Sequence, residues 1–175
     1  MKKIVFVAGI HGVGKTYLCN SLTKELDVPH FSASKLISKQ RDYEFSISKR
    51  VQQIKENQDF LISAIHNYTQ DFPTILLDGH FCLLNEEGNI ERLPEETFEK
   101  LNPVCFLLIV DNASTIASRL KERDGIDYDV GFLDCFQNSE TEYAKEIAEK
   151  NSVPLVIHSI DQSQAELFTL LKSYL

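Results

Sequence analysis

Short apolar runs alternate with amphipathic stretches along the whole chain. The apolar runs read as buried strands and lie at residues 4–8, 29–32, 74–78, 104–110 and 153–157. Between them, apolar residues recur at helical spacing, which predicts helices at 15–26, 35–40, about 49–70, 93–98, 113–122, 132–150 and 164–175. A polar stretch at 41–48 separates two of these helices, and Gly88 marks a turn or hairpin tip. Strands that alternate with helices predict an α/β fold with a parallel sheet.

The amino-acid composition and net charge exclude several classes of protein. The 175 residues suffice for one domain with a sizeable core, and 43% hydrophobic with 25% charged residues is ordinary for a globular protein. A net charge of −8 argues against a polynucleotide partner, although a local cluster of Lys and Arg can still hold a small anion. No apolar run approaches the roughly 20 residues of a membrane helix, and the first residues do not resemble a signal peptide. We therefore expect no membrane association and a cytoplasmic location, and nothing indicates a protein partner.

The cysteines predict packing rather than metal binding. Cys19, Cys82, Cys105 and Cys135 are far apart, with no C-x-x-C pair, so a zinc site is not expected. Free thiols on apolar stretches commonly act as small core residues, and we expect that role here.

The strongest motif is the stretch Gly-Ile-His-Gly-Val-Gly-Lys-Thr at 9–16, which fits the phosphate-binding pattern G-x-x-x-x-G-K-[ST] between a predicted strand and a predicted helix. Its glycines allow successive backbone N–H groups to turn toward a polyphosphate at a helix N-terminus. Lys15 is expected to reach the β and γ phosphates, and Thr16 to offer its hydroxyl to Mg²⁺. The predicted nucleotide-binding residues are Gly9, His11, Gly12, Val13, Gly14, Lys15, Thr16 and Tyr17, together with Arg119 further along the chain.

A second anchor ends the third apolar run. Asp78 follows that run directly, as expected of a carboxylate delivered by a buried parallel strand, and we expect it to orient Mg²⁺ together with Thr16. His80 would point toward the same ligand-binding edge of the sheet, either as a substrate-binding residue or in a structural role.

Candidate acceptor residues lie between the second and third strands. Ser32, Ser34 and Lys35 follow the second strand, where ligands bind in open α/β sheets, although either serine could instead cap a helix. Arg41 and Arg50 belong to a cationic cluster around the polar break. They are candidates for binding a second phosphate, the alternative being a solvated position.

Two arginines lie at the end of the predicted helix that follows the fourth strand. Arg119 and Arg123 are four residues apart on one helix face, suited to covering the γ phosphate during transfer. The alternative is a solvated helix end favoured by the helix dipole.

Taken in order, these segments resemble the adenylate-kinase-like branch of P-loop nucleoside monophosphate kinases, and most closely the short archaeal type. The segments that carry the resemblance are 9–16, 29–34, 75–80, 93–94 with 101–103, and 119–123. The resemblance implies a three-layer P-loop NTPase fold with a five-stranded parallel sheet flanked by helices and the phosphate loop after the central strand. It also implies a helical substrate-binding region at about 33–70 and a short lid at about 119–131 that closes to keep ATP from water.

The sequence therefore predicts an ATP- and Mg²⁺-dependent phosphotransferase that moves the γ phosphate to a small acceptor, most simply a nucleoside monophosphate. Lys15, Asp78, Arg119 and Arg123 are the predicted catalytic residues. Two alternatives stay open: an ATP-binding switch module or slow ATPase that acts on a protein partner, and a kinase for a nucleoside or another small metabolite.

Overall fold

The computed structural model describes the backbone of residues 2–47 and 55–175, with side chains at 2–42 and 59–175. Within these ranges the chain forms seven strands and seven helices. The strands are β1 (Lys3–Ala8), β2 (His30–Ser32), β3 (Thr74–Asp78), β4 (Cys82–Leu84), β5 (Ile90–Arg92), β6 (Cys105–Val110) and β7 (Leu155–Ser159). The helices are α1 (Lys15–Leu26), α2 (Ala33–Ile47), α3 (Lys55–Thr69), α4 (Glu95–Leu101), α5 (Ala113–Asp124), α6 (Val130–Asn151) and α7 (Gln164–Lys172).

Five of these strands form one parallel sheet in the order β2-β3-β1-β6-β7. β1 is central, and it pairs with β3 on one side and with β6 on the other. Helices flank the sheet: α1 packs against β1, β2, β3 and α7, whereas α6 packs against β6, β7, α4 and α5. The predicted α/β fold with a five-stranded parallel sheet and a phosphate loop after the central strand is confirmed.

The core explains why the apolar runs become strands. Residues 5, 7 and 8 of β1, 75–77 of β3 and 105–109 of β6 are fully buried, as expected of parallel strands covered on both faces. Beside them lies an aromatic cluster in which the Phe81 and Phe98 rings stack with centroids 4.8 Å apart, and Phe6 meets both rings edge-on. This cluster lies under the carboxyl ends of β1 and β3, the edge of the sheet where ligands bind in this architecture.

Several element boundaries differ from the sequence prediction. α2 continues into the polar stretch as far as Ile47, and it packs against α3, as in the hydrogen bond from Asn67 Nδ2 to Gln40 Oε1 at 3.2 Å. The predicted helix start near residue 49 lies outside the described residues. β7 begins at Leu155, two residues later than predicted, since Pro154 has no N–H to donate to the sheet, although its carbonyl accepts the Phe106 N–H at 2.9 Å. α6 begins at Val130, where the Asp129 side chain accepts the Phe132 N–H at 2.7 Å.

The polar loop after β3 is an antiparallel hairpin of β4 and β5, and Gly88 turns its tip with φ 82°. Three of the four thiols are buried as predicted, but Cys135 is exposed, so its predicted core role is wrong. It lies between Leu133 and Phe136, which α6 buries, and therefore faces away from that stripe. Across residues 2–47 and 55–175, no helix is both long and apolar enough to cross a membrane.

Candidate phosphate-transfer site

The loop between β1 and α1 wraps tightly because three glycines at positions 9, 12 and 14 take positive φ angles. A Cβ on Gly9 would lie 2.6 Å from the Ile109 carbonyl oxygen, and one on Gly12 would lie 2.7 Å from the Leu120 side chain. The loop is therefore held against β6 and α5 at positions where a side chain does not fit. Gly14 caps α1 without a side-chain hydrogen bond, which leaves the first N–H groups of the helix for an anion.

Lys15 is buried beneath the loop, with 9% of its surface exposed. Its ammonium donates to the carbonyl oxygens of Gly9 and Ile10. Burial lowers the pKa of Lys15 to about 8, while the carboxylates of Glu140 and Asp78 oppose that shift. A phosphate group would replace the loop carbonyls as partner of this cation and would restore its preference for the charged form.

Asp78 ends β3 and faces the same cleft as Lys15 and Thr16. Its Oδ2 lies 2.6 Å from Nε2 of His30, on the neighbouring strand β2. Because β2 pairs with β3 in parallel, with Ser32 opposite Asp78, both side chains come to one edge of the sheet. The sequence analysis did not single out His30. Only the strand order could have revealed it, because the two residues are 48 positions apart.

The oxygen donors at this edge suit Mg²⁺, which prefers hard oxygen ligands and keeps several waters. Thr16 and Asp78 both line the cleft and are the residues that would hold the ion. In the described part of the chain, no three His, Cys, Asp or Glu residues gather into a metal site of their own. A Mg²⁺ ion bound here would therefore be shared between few protein groups and the phosphates of a nucleotide.

Two histidines face each other across the cleft. The rings of His11 and His80 are 4.5 Å apart between centroids, and Nδ1 of His80 is buried without a hydrogen-bond partner in the described structure. Burial, reinforced by the nearby Lys15 charge, lowers the pKa of His80 to about 2. The pKa of His11 is also lowered, first by burial and then by Lys15 and Arg123. Both rings are therefore neutral near pH 7, and a hydrogen bond with the Gly9 backbone ties His80 to the phosphate loop.

The predicted acceptor residues Ser32, Ser34 and Lys35 line this same cleft of about 360 Å³, and the two serine hydroxyls lie 3.1 Å apart. A second cavity of about 270 Å³ adjoins it and shares His30, Ser32 and Lys35. The second cavity adds Phe31, Leu36, Lys39 and Tyr68. Lys39 Nζ lies 3.9 Å from the centre of the Tyr68 ring, so the cavity combines cations with aromatic surface.

The two lid arginines have different environments. Arg123 lines the cleft and is paired with Asp124 through contacts of 2.6 and 2.7 Å. Arg119 instead reaches Asp111 at 2.7 Å and the Val13 carbonyl at 3.3 Å, and it is not among the residues that line the cleft. Arg123 thus lies at the cleft, while Arg119 ties α5 to the phosphate loop.

The remaining predicted residues lie as follows. His11, Gly12, Gly14 and Tyr17 line the cleft, whereas Gly9 and Val13 support the loop from within. Arg41 is exposed on α2 and lines neither cavity of the described structure, so nothing in the structure supports its predicted role. Arg50 lies outside the described residues. Lys39 was part of the cationic cluster in the sequence but was not singled out, and Phe31 and Tyr68 were not predicted to bind a ligand. This cation and the two rings come from α2, β2 and α3, and they meet only in three dimensions.

A parallel sheet whose central strand feeds a glycine loop and a buried lysine defines a P-loop protein with a kinase-like α/β fold. The chain belongs to an AAA domain family, whose model matches residues 8–130. Solved structures share its fold over nearly the whole length. The Sinorhizobium meliloti gluconokinase matches 99% of this chain and 90% of its own, at 15% identity and a TM-score of 0.54. A proposed kinase from Chloroflexus aurantiacus matches 99% and 98%, at 12% identity and 0.53. No curated protein sequence matches the chain.

Proposed function

We propose that the protein is a Mg²⁺-dependent phosphotransferase that moves the γ phosphate of ATP to a nucleoside monophosphate. ATP would occupy the cleft, with its phosphates against the glycine loop, the N-terminus of α1 and Lys15. Mg²⁺, held by Thr16 and Asp78, would neutralise charge on the phosphates. Phosphoryl transfer needs little covalent chemistry from the protein, so positioning and charge neutralisation by these groups account for the activity.

The observation that carries the proposal is the adjoining cavity. It shares His30, Ser32 and Lys35 with the cleft, so a molecule bound there would lie beside the nucleotide phosphates. Lys35 and Lys39 suit a phosphate, and Phe31 and Tyr68 suit a flat base. A nucleoside monophosphate combines these two features in one molecule. The helical region at 33–70 and the lid at 119–131 would then be the parts that enclose the two substrates.

A sugar acid is the second candidate acceptor. The fold is shared with a gluconokinase, and two lysines with two serine hydroxyls also suit a carboxylate and a polyol. The aromatic rings distinguish the candidates, because a polyol gains little from stacking on Phe31 or Tyr68.

An acceptor screen with γ-labelled ATP tests the proposal. The acceptors are the common nucleoside monophosphates, the matching nucleosides, and a series of sugar acids that includes gluconate. We expect label in a nucleoside diphosphate. Lys39→Met should raise the KM for the monophosphate by about 10- to 100-fold, the value of one charge-assisted contact, with little change in kcat. Lys100→Met, which removes an exposed lysine paired with Asp59 at 3.0 Å, is the matched control and should change neither constant.

Each alternative gives a different result. Label in a phosphorylated sugar acid would assign the acceptor to the second candidate. Label that reaches only inorganic phosphate, whatever acceptor is added, would contradict the proposal and favour a nucleotide switch or slow ATPase.

A further inference from the structure

Glu140 on α6 is a carboxylate that the proposed chemistry does not use. It is fully buried although it lies in a polar stretch of sequence, with Asn138 and Ser139 before it and Thr141 and Glu142 after it. Burying a carboxylate is costly unless hydrogen bonds or opposite charge compensate it. Keeping this carboxylate buried therefore costs the folded state considerable free energy.

Both oxygens of Glu140 accept backbone hydrogen bonds from the segment that follows Asp78. Oε1 accepts the Phe81 N–H at 2.9 Å, and Oε2 accepts the Cys82 N–H at 2.5 Å. Burial raises the pKa of Glu140, whereas these two amides, the nearby Lys15 and a hydrogen bond with the Gly9 backbone favour its charged form. A Gln side chain in the same place would present an NH₂ group to one of the two amides, because only its carbonyl oxygen accepts hydrogen bonds.

The same segment is fixed on its other side. Gly79 donates its N–H to the Val7 carbonyl at 2.9 Å, and a Cβ at Gly79 would lie 2.8 Å from the ring of Phe6. His80 thus lies between a residue clamped to β1 and two residues clamped to α6. Its ring contacts the phosphate loop through His11 and through a hydrogen bond with the Gly9 backbone, and the backbone on each side of His80 sets where that ring lies.

We propose that Glu140 is a positioning residue for phosphoryl transfer, which fixes the backbone after Asp78 and thereby holds His80 beside the phosphate loop. The kinetic part of this inference rests on the proposed function. Glu140 itself touches no ligand, since it does not line the cleft. A small displacement of a group that orients reacting atoms is expensive: about 1 Å can cost about 100-fold in rate.

The test compares Glu140→Gln with Tyr143→Phe. The amide nitrogen of Gln cannot accept the second N–H, so Glu140→Gln frees the segment beside His80. Tyr143 lies nearly one turn further along α6 and donates to the Leu93 carbonyl at 2.6 Å. Tyr143→Phe removes this hydrogen bond, but it keeps the ring that contacts Phe81 and both hydrogen bonds of Glu140. We expect Glu140→Gln to lower kcat by about 10- to 100-fold and to leave the KM for ATP within about threefold. Tyr143→Phe should lower the melting temperature but keep the parent kcat.

A second readout does not depend on turnover. In the parent, the Phe81 and Cys82 amides should exchange slowly with solvent, and Glu140→Gln should speed exchange of at least one of them and shift the His80 ring signals. If Glu140→Gln does not fold, Glu140→Asp keeps the charge and takes its place, with the same expectations. Parent-like kcat and parent-like exchange in the folded variant, or an equal loss of kcat in Tyr143→Phe, would overturn the inference. If the parent itself transfers no phosphate, the proposed function fails, and the exchange experiment still decides the role of Glu140.

Discussion

Lys15 both supports the phosphate loop and is placed to bind phosphate. Its ammonium is buried, and the carbonyl oxygens of Gly9 and Ile10 accept its hydrogen bonds. These carbonyls belong to the loop that would bind phosphate, so the same lysine stabilises the loop and would bind the nucleotide. The cost of burial appears in the pKa of Lys15, which falls to about 8.

This shift predicts a pH dependence of ADP binding. Below about pH 7, Lys15 is protonated in the free protein, and affinity should be constant. As pH rises through about 8, the free protein loses the proton while the phosphate-bound form keeps it, so the Kd should rise by up to about tenfold per pH unit. Calorimetry at a series of pH values measures this. Lys15→Met should bind weakly and without this pH dependence, whereas Lys24→Met, at an exposed site on α1, should retain the parent profile. An unchanged Kd in the parent up to about pH 10 would show that Lys15 does not hold the phosphate.

Many residues of the candidate site could be predicted from their type and position in the sequence, but their hydrogen-bond partners could not. Asp78 was expected from its place after a buried run, whereas its contact with His30 depends on β2 lying beside β3. The position of Glu140 could have been noticed in the sequence. It continues the buried stripe of α6 between Phe136 and Tyr143, where helical spacing normally places an apolar residue. A carboxylate in such a stripe indicates a buried hydrogen-bond partner, but nothing in the sequence says that the partner is the backbone after Asp78.

At the scale of elements, prediction succeeded where local pattern and burial agree. β3 and α1 have the predicted bounds, because each is a continuous buried run or a regular amphipathic stripe. α2 was predicted too short, since its last turns fall in the polar stretch at 41–48, where the apolar pattern is weak. A helix end of this kind is not visible in a local window of sequence.

The end of α5 leads to a prediction about the lid. Arg123 lines the cleft and is 60% exposed, with Asp124 as its partner in the absence of ligand. If it stabilises charge that develops during transfer, Arg123→Ala should lower kcat by about 100-fold and change the Kd for ATP by less than about tenfold.

Arg119→Ala should behave differently. It removes contacts to Asp111 and the loop carbonyls, so it should weaken ATP binding.

Single-turnover kinetics and calorimetry on the same preparations measure both effects. Lys121→Ala is the control for helix charge, because Lys121 lies on the same helix and pairs with Asp127 at 2.6 Å at an exposed position. A loss of ATP affinity in Arg123→Ala as large as its loss of kcat would contradict a role in transfer. Such a result would instead assign Arg123 to ground-state binding.

At the scale of the whole molecule, positive charges are concentrated at the cleft although the protein is acidic. The net charge is −8, yet the cleft and its adjoining cavity gather Lys15, Lys35, Lys39 and Arg123. Local cations in an acidic protein attract a small anion while the rest of the surface repels a polyanion. The two cavities meet at His30, Ser32 and Lys35, so donor and acceptor would be bound side by side at the carboxyl edge of one sheet.

That arrangement is the central claim, and the fate of the γ phosphate tests it most directly. In a single turnover with γ-labelled ATP, Mg²⁺ and a nucleoside monophosphate, the label is partitioned between the acceptor and inorganic phosphate. We predict that most label appears in the nucleoside diphosphate, and that ATP is consumed far more slowly when the acceptor is omitted, because the reaction requires both cavities to be filled. Hydrolysis to inorganic phosphate at the same rate with and without every acceptor tried would contradict the account.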